Sequence, residues 1–314
     1  MAGFKADQVG LLAPTAMAGF KADQLGAMDT TAMAGFEADQ VGALAPTAMA
    51  GFDPTRMAAL DPTAMAGFKA DQMAALGTNA IAALDSTKVS NLAPTAMAGF
   101  DALKINALDP TAMAGMKSDQ IAGLKADAMG GMSAAQMTAL APTAMAGFKS
   151  DQVAALDPTA MTGFKADQIG AMDASAMGGL KAAQVGALPP TAMAGIKADQ
   201  LGAMDATAMA GFKPDQIGAM DATAMAGFDP NKMAALDPLA MAGFKADQMA
   251  ALDPNAVAAL DSTKVANLAA DAMAGFDNLK LNALDPTAVA GFKSDQLACL
   301  LYTSPSPRDR TRSR

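Results

Sequence analysis

The sequence predicts an all-α protein, an elongated solenoid of short helices with one helix in each eight-residue unit. An eight-residue pattern runs without insertion or deletion through residues 1–300, and similar halves pair into a 16-residue repeat. Apolar residues recur at spacings of three and five, which is unlike the alternation of a half-buried strand. The commonest residues, Ala, Met, Leu, Lys and Gln, are good helix formers. A repeat of this kind decides the architecture before any single motif does.

Each eight-residue unit, or octad, has a fixed pattern when Met1 is taken as position 1. Position 1 is Met, Val, Ile or Leu, position 4 is Phe, Leu, Met or Ile, and positions 2 and 3 are nearly always small. Every Phe stands at position 4 of alternate octads. We expect positions 1 and 4 to form a thin continuous core, and positions 5, 7 and 8 to face solvent.

The boundaries of the helices follow from geometry and from proline. One continuous helix is excluded, because eight residues rotate the apolar stripe by about 80° per octad and no face would stay apolar. Proline recurs at position 6, and pairs such as Asp61 and Pro62 indicate an N-cap followed by the first helical residue. We expect helices of about seven residues, too short to be stable alone. Gly at position 3, or a residue just beyond position 4, would close each turn.

A variant block occurs twice. It begins at Ile81 and returns at Val257, twenty-two octads later. This offset indicates that a long block was duplicated within a gene that was already repetitive.

The last residues do not follow the pattern. Residues 301–314 fit no octad and contain the only Tyr and every Arg except Arg56. We predict an octad-repeat solenoid over residues 1–300 and a non-native, disordered tail over 301–314. The alternative is a genuine basic tail that is phosphorylated or binds RNA. The array starts in mid-register without a polar capping octad, so we expect it to be a fragment of a longer array.

Charge narrows the choice of partners. Without the four Arg and one Asp of residues 301–314, the 22 basic and 31 acidic residues become 18 and 30. We therefore expect no nucleic-acid partner for this acidic array. No apolar run is long enough to span a membrane, and no targeting segment indicates a compartment. The single Cys299 provides no disulfide framework.

The residue types argue against catalysis. The chain has no His and no Trp, which excludes His-dependent triads and the usual zinc sites. It has no glycine-rich phosphate-binding motif. We predict no catalytic, cofactor-binding or metal-ligating residues, no cofactor, and a protein that is not an enzyme.

Three features could suggest sites but have simpler interpretations. Asp61 and Asp71 could contribute to a calcium site, yet Asp at position 5 caps a helix and Asp at position 7 lies in the first turn. The methionines could bind copper(I), but Met is more often an adaptable core residue. Gln72 stands at the third helical position, from which its side chain can reach back to the cap.

Residues 62–76 resemble the tandem octad repeats of long proteins predicted from microbial and marine sequences. The shared pattern is Pro-x-Ala-φ-x-Gly-φ-x-x-x-Gln-φ-x-x-φ, where φ is apolar, and the resemblance covers residues 1–300. It implies a repeat class without an established activity. This chain often has Lys, as at Lys69 and Lys165, where those repeats have a Ser or Thr cap. Because Lys has no acceptor for the cap, we expect less stable helices there. Residues 299–309 resemble an adapter read-through found on many unrelated translated sequencing-library products.

The sequence predicts a non-catalytic scaffold or surface protein that presents a regular face to an unknown protein or surface partner. One alternative is a repeat module that binds a ligand or divalent ions. Another is a fragment, or a library-derived reading frame without a selected function. We also expect that the open ends of such a solenoid can self-associate.

Overall fold

The computed structural model of the protein describes residues 4–303, and for residues 301–303 it describes the backbone alone. Within this range the secondary structure consists of short helices at regular spacing, without strands. The predicted all-α repeat solenoid is therefore confirmed. The described residues form two compact units, 4–164 with Ala171–Ala176 and Lys165–Gly170 with 177–303. The tail predicted for residues 301–314 lies outside the described residues, except that the backbone of residues 301–303 belongs to the final helix.

Each octad contributes one helix, which begins at position 6 and ends at or before position 3 of the next octad, except for the longer final helix. Helices that begin in odd octads have Gln, Lys or Arg as their third residue, and we call them Gln-type helices. Helices that begin in even octads have Ala as their third residue, and we call them Ala-type helices.

The Gln-type helices are α-helical. They are Ala6–Gly10, Ala22–Gly26, Ala38–Ala43, Pro54–Ala59, Ala70–Ala75, Ser86–Asn91, Ala102–Ala107, Ser118–Gly123, Ala134–Ala139, Ser150–Ala155, Ala166–Ala171, Ala182–Ala187, Ala198–Ala203, Pro214–Ala219, Pro230–Ala235, Ala246–Ala251, Ser262–Asn267, Asn278–Ala283 and Ser294–Thr303.

The Ala-type helices are either one α-helical turn or a slightly longer 3-10 helix. The α-helical ones are Pro14–Met17, Thr30–Met33, Thr78–Ile81, Pro110–Met113, Pro158–Met161, Ala174–Met177, Pro190–Met193, Pro254–Val257 and Pro286–Val289. The 3-10 helices are Pro46–Gly51, Pro62–Gly67, Pro94–Gly99, Ala126–Gly131, Pro142–Gly147, Ala206–Gly211, Ala222–Gly227, Pro238–Gly243 and Ala270–Gly275.

The predicted helix starts are confirmed, and the helices end at or before the predicted position 3, as at Gly67. All except the final helix are four to six residues long, shorter than the expected seven. Asp61 has extended backbone and accepts a hydrogen bond from the Thr63 N–H at 2.8 Å, and Pro62 follows as the first helical residue. No described residue has positive φ, so these glycines end the helix without the left-handed conformation of many helix C-caps. Phe68, directly after Gly67, returns to extended backbone at φ −63° and ψ 138°.

Within each unit, a helix packs against the helix three places further along the chain. A Gln-type helix therefore always packs against an Ala-type helix.

Positions 1 and 4 form the core as predicted. The rings of Phe52 and Phe68 lie edge to face there, with their centroids 5.9 Å apart. Position 8 was predicted to face solvent, but it is buried, as at Ala64 and Gln72. Each buried Met or Leu contributes about 1.5–3 kcal/mol, which short helices cannot obtain alone.

Glycine at position 3 allows close approach of two backbones where an Ala-type helix ends on a Gln-type helix. A Cβ built on Gly67 would lie 1.7 Å from the carbonyl oxygen of Ala38. The same conflict recurs at Gly195, where it would lie 1.9 Å from the oxygen of Ala166. Ala83 and Ala259 occupy this position elsewhere in the sequence, so the contact can open enough to admit a methyl group.

We predict opposite effects for two Gly→Ala substitutions in the second unit. Gly195→Ala should lower the free energy of unfolding by about 1–3 kcal/mol, because the helices must move apart. Gly202→Ala is the matched control, since its Cβ would meet nothing within 4 Å and the residue lies in a helix. It should raise stability by about 0.5–1 kcal/mol. Denaturant unfolding of both variants measures the difference, and equal effects would contradict the close-approach explanation.

Pairing between unlike helices predicts which deletions the fold accepts. Deleting residues 105–120 removes two octads and keeps every Gln-type helix against an Ala-type helix. Deleting residues 105–112 removes one octad and makes three like pairs, which places Ala where glycine is needed. We expect the two-octad deletion to retain cooperative thermal unfolding near the parent Tm. The one-octad deletion should lose helical circular dichroism or unfold at clearly lower temperature, although it removes fewer residues.

Candidate functional site

The polar group that recurs throughout the interior is the third side chain of each Gln-type helix. Gln72 Oε1 accepts a hydrogen bond from the Lys69 N–H at 2.8 Å. Gln72 Nε2 donates to the carbonyl oxygens of Val41 at 2.8 Å and Leu44 at 2.7 Å. The Gln72 residue is 1% exposed. One amide thus caps its own helix and binds the carboxyl end of the earlier helix Ala38–Ala43.

The same three hydrogen bonds recur in both units. They are made by Gln40, Gln120, Gln136, Gln152, Gln216, Gln248 and Gln296. The predicted capping role of this Gln is confirmed. The second role is not predictable from local sequence, because the two carbonyls are distant from Gln72 along the chain.

A second arrangement replaces the amide with an ion pair. Asp85 Oδ1 caps the helix by accepting from the Lys88 N–H at 2.8 Å, and Asp85 Oδ2 accepts from Lys88 Nζ at 3.2 Å. Lys88 is 5% exposed, whereas most of the Asp85 side chain is accessible. Arg56 is paired with Asp53 in the same way, and its Nε donates to the carbonyl of Met28 in an earlier octad at 3.2 Å. In this ion pair the basic side chain also makes the bond to the earlier helix.

The two arrangements correspond to a strict correlation in the sequence. In every odd octad, Gln at position 8 goes with Lys, Glu or Ser at position 5, whereas Lys or Arg at position 8 goes with Asp at position 5. The physical reason is that Lys and Arg only donate hydrogen bonds, so the acceptor for the cap must come from position 5. This correlation was the signal that could have revealed the buried role of position 8.

Lys at the cap does not leave the helix without an acceptor. The Lys69 side chain makes no capping bond, as expected for a group without an acceptor. Asp71 compensates, since its Oδ1 accepts from the Gln72 N–H at 2.9 Å. Asp119 does the same for Gln120 at 2.9 Å. The weakness expected at Lys69 is thus offset by the acid at position 7, and capping does not use the exposed Lys amine.

The Asp side chains considered as calcium ligands accept hydrogen bonds from residues of the helix that each one caps or begins. Asp61 accepts hydrogen bonds from the hydroxyl and the N–H of Thr63, and these bonds lower the pKa of the Asp61 carboxyl. Asp71 accepts from Gln72. Across residues 4–303, the structure shows no group of three or more His, Cys, Asp or Glu side chains arranged to hold a metal ion. The described methionines, considered for copper, lie in the core.

Shallow, open grooves run between neighbouring helices on the surface. One is lined by Ala38, Gly42, Gly67 and Lys69. Its counterpart eight octads later includes Ala102, Gly131 and Ser133. The lining consists of small residues next to the position 5 side chain, so these grooves are the outer side of the close backbone contact.

No protein-family model matches the chain, and no curated protein matches it significantly. Among the described helices, none is both long enough and apolar enough to cross a lipid bilayer.

Exchanging one arrangement for the other provides a test of the buried junction. Gln120→Lys alone should lower the free energy of unfolding by about 1–3 kcal/mol, because the Lys117 N–H loses its acceptor and a buried ammonium has no paired acid. Lys117→Asp alone should also destabilise, since it places a carboxylate beside the Gln120 Oε1. The double variant reproduces the pairing of Asp85 and Lys88 and should recover most of the loss. A double-mutant cycle from denaturant unfolding measures this coupling, and simple additivity would disprove it.

Proposed function

We propose that the protein is a non-catalytic repeat scaffold that presents a regular polar face to a protein or surface partner. The observation that supports this proposal is the ladder of exposed Lys and Asp side chains at positions 5 and 7 of the odd octads. Lys69 and Asp71, and likewise Lys117 and Asp119, are exposed with the same spacing and setting. A side chain that is repeated at fixed geometry is suited to multivalent recognition.

The fold does not need the Lys amines of this ladder for capping. At Lys69 and Lys117 the cap is made by the following Gln amide, and the adjacent Asp accepts the next N–H. The side chains of Lys69 and Lys117 can therefore contribute to recognition without loss of the helix cap. Self-association through the ends of the array is a separate part of the proposal.

The proposal is tested by capture of partners from extracts of the cells that express the protein. The bait with Lys21, Lys69 and Lys117 changed to Ala loses three positive charges from the ladder. A matched control changes Thr47, Thr95 and Thr143 to Glu, which gives the same change in net charge on exposed positions of Ala-type helices. We expect at least one partner to bind the parent and the Thr control but to bind the Lys variant about tenfold less.

Circular dichroism must first show that all three baits are equally folded. If the Lys variant and the Thr control capture the same proteins to the same extent, the Lys ladder is not the recognition face. Loss of capture in both variants would instead indicate a non-specific effect of net charge.

A further inference from the structure

One of the surface grooves lacks both charged side chains of its counterpart. The groove at Lys69 is lined by Asp39 and Lys69. In the groove eight octads later, Leu103 stands in place of Asp39 and Ser133 in place of Lys69. Ser133 is the one uncharged residue at position 5 of an odd octad in residues 1–300. We call this second groove the Leu103 groove, and Asn106 and Asp157 also line it.

Elsewhere, a lysine at position 5 lies over the end of the Gln-type helix that begins four octads earlier. Lys149 Nζ donates a hydrogen bond to the carbonyl oxygen of Ala122 at 2.8 Å. The Lys69 side chain follows the same path, because its Cε lies 3.8 Å from a Cβ built on Gly42. Ala122 and Gly42 are each the fifth residue of their helix. An ammonium group is favoured there, because the carboxyl end of a helix carries partial negative charge.

In the Leu103 groove the corresponding residue is Asn106, the fifth residue of helix Ala102–Ala107. The short Ser133 side chain bonds within its own helix cap instead of reaching Asn106. Its hydroxyl donates to Gln136 Oε1 at 3.1 Å and accepts from the Gln136 N–H at 3.3 Å. Among the described residues, none donates a hydrogen bond to the Asn106 carbonyl oxygen. The groove therefore has the acceptor of this contact without the lysine that covers it elsewhere.

Leu103 and Asp157 supply two further features that suit a lysine side chain. Leu103 is 72% exposed, and its apolar surface matches the methylene groups of lysine. Asp157 lines the same groove and is exposed. Its Oδ1 accepts from the hydroxyl of Thr159 at 2.7 Å and from the Thr159 N–H at 2.8 Å, and these bonds lower the pKa of the Asp157 carboxyl. Asp157 is therefore charged at neutral pH and attracts an ammonium group.

We propose that the Leu103 groove binds a lysine side chain of a partner protein. The methylene groups of this lysine pack on Leu103, and its ammonium group donates to the Asn106 carbonyl and to the Asp157 carboxylate. The bond to Asn106 repeats the one that Lys149 makes to Ala122 within the chain. The net charge of −9 also favours a basic partner. This inference rests on the scaffold function proposed above and assigns the chemistry of one contact with the partner.

The experiment titrates the full chain, labelled with 15N-asparagine, with the pentapeptide Gly-Gly-Lys-Gly-Gly blocked at both ends. The chain has eight Asn residues, so the NMR signals of Asn106 can be assigned from their loss in an Asn106→Gln variant. These signals should shift and saturate at about millimolar peptide, whereas those of Asn91 and Asn231 should not shift. A peptide with norleucine in place of lysine keeps the apolar stem without the charge, and it should leave Asn106 unchanged.

Filling the groove from within the chain tests where the peptide binds. Ser133→Lys places a lysine over Asn106, as Lys149 lies over Ala122, and should weaken peptide binding at least tenfold. Thr47→Lys adds the same charge at an exposed position of another helix, and it should bind the peptide like the parent.

A second pair of variants tests the carboxylate. Asp157→Asn keeps an acceptor for the helix cap but removes the charge, and it should weaken peptide binding about threefold to tenfold. Asp221→Asn is the matched control, because Asp221 accepts the same two bonds from Thr223, at 2.8 and 2.7 Å. It should bind the peptide like the parent.

Equal circular dichroism of all variants shows that they are folded. Asn106 signals that do not shift, an equal shift with the norleucine peptide, or unchanged binding by Ser133→Lys would each overturn the inference. Equal loss of binding in Asp157→Asn and its control would overturn the part assigned to Asp157. The capture experiment leaves Ser133, Asn106 and Asp157 unchanged, so the Lys ladder and the Leu103 groove can fail separately.

Discussion

The structure depends on one side chain per pair of octads, which in Gln72 and its buried counterparts makes hydrogen bonds in two directions. Helices of one or two turns cannot supply enough hydrogen bonds or apolar contacts to be stable alone. In Gln72 the carbonyl oxygen of the amide caps its own helix while the nitrogen binds two carbonyls of an earlier one. Helix formation and helix stacking are therefore coupled in one group. In the ion pairs, such as Asp85 with Lys88, the acid supplies the acceptor for the cap and also pairs with the buried basic side chain.

This coupling also explains the character of the surface. At Lys69 the groups needed for capping come from Gln72 and Asp71, so the Lys amine contributes charge to the face without serving the cap. In octads where the basic residue stands at the buried position 8, as at Lys88, the acid stands at position 5 and remains accessible. The fold can thus alter the sign of the outer charge at position 5 while the buried side chain at position 8 keeps a hydrogen-bond partner. A surface that varies in this way over a constant interior supports the scaffold function proposed above.

The sequence predicted the features that depend on neighbours along the chain. Asp61 and Pro62 define a helix start, and apolar residues at positions 1 and 4 define the core, because both are local rules. Burial of Gln72 was not predicted, since a polar residue in a short amphipathic unit is ordinarily assigned to the surface. The return of the chain after three helices also depends on the extended linkers around residues such as Leu76 and Asp61, whose combined rotation no local rule supplies. The sequence-based expectation of no catalytic or metal-binding residue remains a prediction.

The alternation of Gln-type and Ala-type helices has a consequence for how the gene can change in length. Recombination between repeats can add or remove two octads, or sixteen codons, without disturbing any pair of stacked helices. A slip of one octad would put like helices together over three successive pairs. The block that begins at Ile81 and returns at Val257 is displaced by eleven complete pairs of octads. Stacking in the folded chain thus limits recombination to products in which the number of octads changes by two or a multiple of two.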